Sequence, residues 1–206
     1  MEYIYNIARA SDIIQIFILY FLYYLTFDIE FLIFCIGFYI NFELNNILKY
    51  SIFLKIFEKN NIPFLGKGTR PNGAKNCCAF KPCDTIYPKY PKSYGMPSGH
   101  SQSVAYFSSI LIMYLLNNNY INNISKYFLS SILIFFTIFV MYTRVLFKCH
   151  TIQQTIIGAI IGAIIGYILF ENKGKLKNKI KENNNYELVL LIIATIVTIL
   201  IYKNSI

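Results

Sequence analysis

The feature that most constrains this chain is a series of long apolar runs separated by short polar connectors. A helix needs about 20 residues to cross the hydrocarbon core of a bilayer, and backbone groups in lipid must pair within their own segment. Only 14% of the residues are charged, against about a quarter in soluble domains. We distinguish six runs, roughly 12–27, 29–50, 99–117, 127–147, 151–170 and 187–203. The sequence therefore predicts an all-α, polytopic membrane helical bundle of about six transmembrane helices, forming one domain over residues 1–206.

Two other interpretations of the apolar runs are less favoured. A soluble protein would need all these helices to be buried with almost no polar face. A cleavable signal peptide would need early positive charges and a small-residue cleavage site, whereas the chain opens with Glu2. On the fifth run, Gly158, Gly162 and Gly166 recur every four residues. This stripe predicts close packing against another helix rather than chemistry.

The polar residues of chemical interest are predicted to lie at one membrane surface. In a bundle of six helices the connectors alternate between the two sides, so the connector 51–98, the start of the third run and the junction 144–151 share a side. These segments contain both histidines of the chain, His100 and His150, and two of its three arginines, Arg70 and Arg144.

This set of side chains favours metal-free phosphoryl transfer. Two histidines can serve as nucleophile and general acid, and two arginines can clamp a phosphoryl group. Ser98 and Gly99, just before a helix, can offer a hydroxyl and backbone N–H groups to an anion. No carboxylate pair or dense His/Cys/Asp cluster indicates a metal, so neither metal nor cofactor is expected. Taken singly, Arg144 could be an interfacial anchor and Ser98 an ordinary helix cap.

Three motifs resemble the signatures of a known family. Arg70-Pro71, Pro97-Ser98-Gly99-His100, and Arg144 followed after five residues by His150 are similar to the motifs of the type 2 phosphatidic acid phosphatase superfamily. These are integral membrane lipid phosphatases with a six-helix core. The resemblance covers about 45–170, with the catalytic motifs within 45–155.

Within that superfamily the chain looks closest to dolichyldiphosphatase-like members. The stretch 94–102, YGMPSGHSQ, is similar to their second motif beyond the shared core. Gln154 stands four residues after His150, where most of the superfamily has Asp. A Gln can orient the His150 ring but supplies no negative charge. The resemblance thus implies hydrolysis of a polyprenyl diphosphate, whose leaving group is better than that of a monoester.

The resemblance also implies residue roles. His150 would attack phosphorus and form a phosphohistidine, while His100 would protonate the departing oxygen. The transition-state oxygens would be held by Arg70, Arg144, Ser98 and the Gly99 N–H.

The lysine of the first motif is displaced. The family pattern puts it at position 63, which is Pro63 here. Lys49, near the end of the second run, is the favoured substitute, and Lys67 and Lys55 stay open as alternatives.

Cysteines and lysines bear on the orientation. Cys77, Cys78 and Cys83 lie in the connector, where a disulfide and free thiols are both open, and Cys149 is interpreted as incidental. A basic cluster, 173–181, follows the fifth run and predicts a cytoplasmic location for its side of the membrane. The catalytic side would then be lumenal, as in the endoplasmic reticulum or a related membrane.

Three functions are therefore weighed. The first is a metal-independent diphosphatase of polyprenyl lipids, the second a phosphatase of phosphatidic acid or other lipid monophosphates, and the third an inactive lipid-binding membrane protein. In each case the expected partners are lipid phosphates and membrane lipids, with no nucleic acid.

Overall fold

The computed structural model describes residues 6–8, 10–57, 66–74, 94–182, 189, 191–193 and 195–196. Over these ranges the chain is helical and forms no β-strand, apart from an isolated antiparallel bridge between Thr69 and Tyr94. The helices are α1 (Ser11–Thr26), α2 (Ile29–Ile47), a π-helical segment (Leu48–Phe53), α3 (Leu54–Phe57), α4 (Gly99–Asn117), α5 (Asn123–Leu146) and α6 (Ile152–Lys181). The all-α bundle predicted from the apolar runs is confirmed.

Local polar signals set where the long helices begin. The Asp28 side chain accepts a hydrogen bond from the Glu30 N–H at 3.2 Å and caps α2. Asn122 does the same for α5, accepting from the Ser125 N–H at 2.8 Å. A side chain at this position satisfies one of the N–H groups that a helix leaves without a partner. The connectors between the apolar runs therefore determine the helix starts.

The number of membrane spans is the part of the prediction that the structure does not confirm. Among the described residues, three helices are long and apolar enough to cross a bilayer, namely Ile29–Phe57, Asn123–Leu146 and Ile152–Ile180. The helix α1 is apolar but has only 16 residues, and α4 carries inward-facing serines and a glutamine along its first half. Most of the predicted sixth run, 187–203, lies outside the described residues. The count of six is thus not confirmed.

Helix α4 lies at the centre of the bundle and packs closely against α6. A Cβ atom added at Gly162 would collide with the backbone carbonyl of Gln102, and one at Gly158 would collide with that of Ser98. Small residues on α6 thus let two helix backbones approach. The packing role expected for the glycine stripe is confirmed, and the stripe brings the start of α6 against the start of α4.

The two ends and the outer face of the bundle differ in character. At one end, Lys177 on α6 pairs with Asp28 at 2.8 Å and Glu30 at 3.2 Å. The opposite end, where α2 finishes and α4 and α6 begin, gathers the conspicuous polar residues. Helix α5 is peripheral and exposes large apolar side chains such as Phe128 and Phe135, as a lipid-facing surface would.

Candidate active site

A buried polar cluster forms where the end of α2, the start of α4, the end of α5 and the start of α6 meet the segment 66–74. The convergence that the alternating connectors predict is found here for the second and third motifs and for Arg70. The proposed site residues in or beside this cluster are Lys49, Arg70, Ser98, Gly99, His100, Arg144, His150 and Gln154.

The spacing between Arg144 and His150 is that of one compact turn. Helix α5 ends at Leu146, and the Arg144 carbonyl then accepts hydrogen bonds from the Cys149 N–H at 2.9 Å and the His150 N–H at 3.1 Å. Lys148 adopts a left-handed conformation with φ of 55°, which reverses the chain. The turn therefore places His150 directly beneath the end of α5, next to the fully buried Arg144.

Gln154 ties the start of α6 to the segment that carries Arg70. Its Nε2 donates to the carbonyl oxygens of Thr69 at 2.8 Å and Lys67 at 3.0 Å. Its Oε1 accepts from the Thr151 N–H at 3.2 Å and lies 3.1 Å from His150 Nδ1. Because carbonyl oxygens can only accept, these contacts fix which end of the amide faces the histidine.

The amide orientation in turn fixes the tautomer of His150. Since Oε1 of Gln154 can only accept, His150 Nδ1 must carry the proton and donate it. The other ring nitrogen, Nε2, is then unprotonated and accepts a hydrogen bond from Arg70 Nη1 at 3.2 Å. The same Nη1 donates to the Cys149 carbonyl at 2.8 Å. His150 is thus held with its unprotonated nitrogen against a guanidinium.

The surroundings of His150 favour its neutral form. Burial lowers its pKa well below the usual value, and the positive charges of Arg70 and Lys49 lower it further. The hydrogen bond to Gln154 opposes this shift but is outweighed. The imidazole is therefore unprotonated at neutral pH, which is the form that can act as a nucleophile.

Of the three lysines considered for the first motif, the structure places Lys49 nearest the site. It lies in the π-helical segment, is buried, and its charge acts on His150. Lys55 and Lys67 are exposed. The π-helical segment follows α2 without a break, so that Lys49 belongs to a continuous helical rod.

Ser98 and Gly99 form the start of α4 at the cluster. Ser98 is completely buried, and its N–H donates to the Gln154 carbonyl at 3.0 Å. Its hydroxyl accepts from Ser101 Oγ at 3.1 Å and does not cap its own helix. The ordinary capping role considered for Ser98 is therefore absent.

A polar network that the sequence interpretation did not assign holds α4 against α2. Asn45 Nδ2 donates to Gln102 Oε1 at 2.8 Å, and Gln102 Nε2 donates to the Asn41 carbonyl at 3.0 Å. Asn41, Asn45 and Lys49 occur at every fourth position and so share one face of the α2 rod. That spacing within an apolar run is the signal that could have revealed the network.

Two further residues depart from the sequence interpretation. Asp12 on α1 lies 3.7 Å from His100, measured between Oδ2 and Nε2, and was not singled out. Cys149 is disulfide-bonded, so its interpretation as incidental was wrong. The connector cysteines Cys77, Cys78 and Cys83 lie outside the described residues.

Among the described residues, no three His, Cys, Asp or Glu side chains are grouped as metal ligands would be.

Comparison with known proteins relates this site to one family. The profile of the PAP2 superfamily matches residues 44–178, which is well over half of the chain and includes the cluster from Lys49 to Gln154. No significant match was found among curated proteins or among solved structures.

Proposed function

The chain belongs to the PAP2 superfamily, and on that premise we propose that it hydrolyses a polyprenyl diphosphate of the dolichyl type through a phosphohistidine on His150. Members of this superfamily are generally phosphatases and include lipid phosphatases. The three long apolar helices indicate an integral membrane protein. The observation that carries the proposal is the neutral His150, whose Nε2 lone pair faces Arg70.

The reaction would proceed in two displacements. His150 Nε2 attacks the terminal phosphorus, the bond to the leaving oxygen breaks, and His100 donates a proton to that oxygen. In the resulting phosphohistidine, Nδ1 keeps its proton and still donates it in a hydrogen bond to Gln154 Oε1. His100, now neutral, takes a proton from water as the water attacks phosphorus, which releases inorganic phosphate and regenerates His150. Arg70, Arg144, Lys49, Ser98 and the Gly99 N–H would stabilise the charge on the phosphoryl oxygens.

The neutral Gln154 supports a diphosphate as the substrate. A carboxylate at this position would stabilise the charge that develops on His150 during attack, whereas an amide only orients the ring. A diphosphate releases a phosphate monoester rather than an alkoxide, and so requires less from the nucleophile and its acid. Phosphatidic acid and other lipid monophosphates are the second candidate, and an inactive lipid-binding protein is the third.

The disulfide at Cys149 supports a lumenal active site. Disulfides persist in oxidising compartments, and Cys149 directly precedes His150. The basic cluster 173–181 lies on α6 towards the other end of the bundle. The positive-inside rule predicts that this end faces the cytoplasm. Both observations agree with an endoplasmic reticulum or related membrane.

The substrate choice is tested by phosphate release from detergent-solubilised protein in the presence of EDTA. Farnesyl diphosphate and phosphatidic acid are compared at equal mole fraction in the micelle. We expect release from the diphosphate to be the faster reaction. A preference for phosphatidic acid would favour the second candidate, and no release from either by folded protein would favour the third.

Lys49 is expected to contribute both to phosphate binding and to the acid limit of activity. Replacing Lys49 with Ala should lower kcat/KM on the order of 10²-fold, as the loss of one charged donor does elsewhere. Because the Lys49 charge lowers the pKa of His150, its removal should also move the acidic limb of the pH–rate profile to higher pH. The matched variants Lys55→Ala and Lys67→Ala, at exposed positions, should leave that limb in place. An equal shift in a control would disprove the assignment.

A further inference from the structure

We propose that Asp12 on α1 is a positioning residue that keeps His100 protonated. The carboxylate of the site would then lie beside the general acid, His100, rather than beside the nucleophile, His150. This inference rests on the proposed function, in which His100 delivers a proton to the leaving group. Asp12 lies outside the part of the chain matched by the family profile, 44–178.

The geometry places the two side chains within reach of each other's charge. Asp12 Oδ2 is 3.7 Å from His100 Nε2, and each side chain is only 16% exposed. The partners come from different helices, with Asp12 in the first turn of α1 and His100 in the first turn of α4. The contact is thus a tertiary one that the packing of α1 on α4 creates.

The rest of the site opposes a protonated His100. Lys49 in the π-helical segment and Arg70 in the segment 66–74 bring positive charge to His150, with which His100 also interacts. The charge of Arg144 on α5 acts on Asp12 itself. His100 also sits at a helix N-terminus, where the macrodipole disfavours a cation. Position 154, beside the nucleophile, holds a neutral amide. Asp12 supplies a negative charge beside the one group that must carry a proton before it can act.

The surroundings of Asp12 make it part of a polar face rather than an isolated surface charge. Ser11 and Gln15 on the same side of α1 are completely buried. A helix that only filled space against α4 would bury apolar residues at these positions. The polar face of α1 therefore extends the site towards the N-terminal helix.

The proton balance follows from the contact. With Nε2 directed to Asp12, the His100 imidazolium keeps its Nε2 proton and passes the Nδ1 proton to the leaving oxygen. Burial raises the pKa of Asp12 to about 6, and the positive charge of Arg144 opposes this rise. At neutral pH Asp12 is therefore ionised through the cycle and is not consumed. The neutral His100 then removes a proton from the attacking water, which restores the imidazolium beside Asp12.

The test uses the fact that the chain has only two histidines. In full-length protein labelled at histidine Cε1, NMR titration in detergent gives two resonances, and His150→Ala assigns the one that belongs to His100. We expect Asp12→Asn to move the midpoint of the His100 titration to lower pH by about one unit or more, and Asp12→Glu to restore it at least in part. The matched control Glu30→Gln removes an ion-paired carboxylate at the other end of the bundle and should leave the midpoint unchanged.

A His100 midpoint that is the same in wild type and Asp12→Asn would overturn the proposal. The titration needs no turnover, so its result does not depend on the proposed function. The proposed function is contradicted by a different result, namely that the wild type releases no phosphate from either lipid.

Turnover gives the second readout. In Asp12→Asn the alkaline limb of the pH–rate profile should move to lower pH by a similar amount, since deprotonated His100 cannot act as an acid. A purely structural role for Asp12 would lower the rate at every pH and leave the limb in place, which would also overturn the proposal.

Discussion

Replacing His150 with alanine is expected to abolish phosphate release, with a loss on the order of 10⁶-fold or down to the detection limit, as for the removal of a catalytic nucleophile in other hydrolases. The reason is that Nε2 of His150 is the unprotonated ring nitrogen that Gln154 and Arg70 hold in place. Rapid quenching after mixing with labelled diphosphate should trap an acid-labile phosphoenzyme in the wild type and none in His150→Ala.

His100→Ala serves as the matched control for this experiment. It removes the other histidine of the site but keeps the nucleophile, so phosphoenzyme should still form, more slowly, from a substrate whose leaving group is itself a phosphate. If His150→Ala retained the phosphoenzyme while His100→Ala lost it, the roles assigned to the two histidines would have to be exchanged.

Replacing Gln154 with glutamate is expected to destabilise the protein. The Nε2 of Gln154 donates to the carbonyl oxygens of Lys67 and Thr69, and a carboxylate would face both with negative charge and no proton to donate. Leaving buried partners unsatisfied costs roughly 1–3 kcal/mol, and more where a charge is involved. The free energy of unfolding should therefore fall by about 3 kcal/mol. Activity should fall with it, because the segment that carries Arg70 loses its anchor.

The measurement is a thermal unfolding curve in detergent combined with phosphate release below the transition. Gln153→Glu is the matched control, since it makes the same chemical change at the exposed neighbouring position and should alter neither quantity appreciably. An increase of activity in Gln154→Glu would show that the segment 66–74 is held by other contacts and that only the charge at position 154 matters.

Much of the site could be predicted from the sequence because its parts are local. The Arg144–His150 spacing is one turn after a helix, and Ser98, Gly99 and His100 open the next helix. Alternation of the connectors predicted that these segments lie close together, and they meet at one end of the bundle. Lys49 was harder to predict, since its place depends on a π-helical segment that continues α2.

The contact of Asp12 with His100 and the hydrogen bonds among Asn41, Asn45 and Gln102 were not predicted, because the residues next to each of them in the sequence do not reveal the partner. Their partners lie on other helices, and only the rotation and register of packed helices decide which polar residue meets which. Cys149 was misinterpreted because the residues next to a cysteine in the sequence do not show whether it is disulfide-bonded.

By itself, the sequence determined the helical class and the candidate catalytic histidines, because hydrophobic run length and motif spacing are properties of consecutive residues. The tertiary structure decided the rest. It set the amide orientation of Gln154 and through it the tautomer of His150, and it brought a carboxylate to His100 from α1. The position of Gln154 depends on the close backbone approach of α6 to α4 at Gly158 and Gly162, since directional hydrogen bonds form only when packing brings donor and acceptor within about 3 Å.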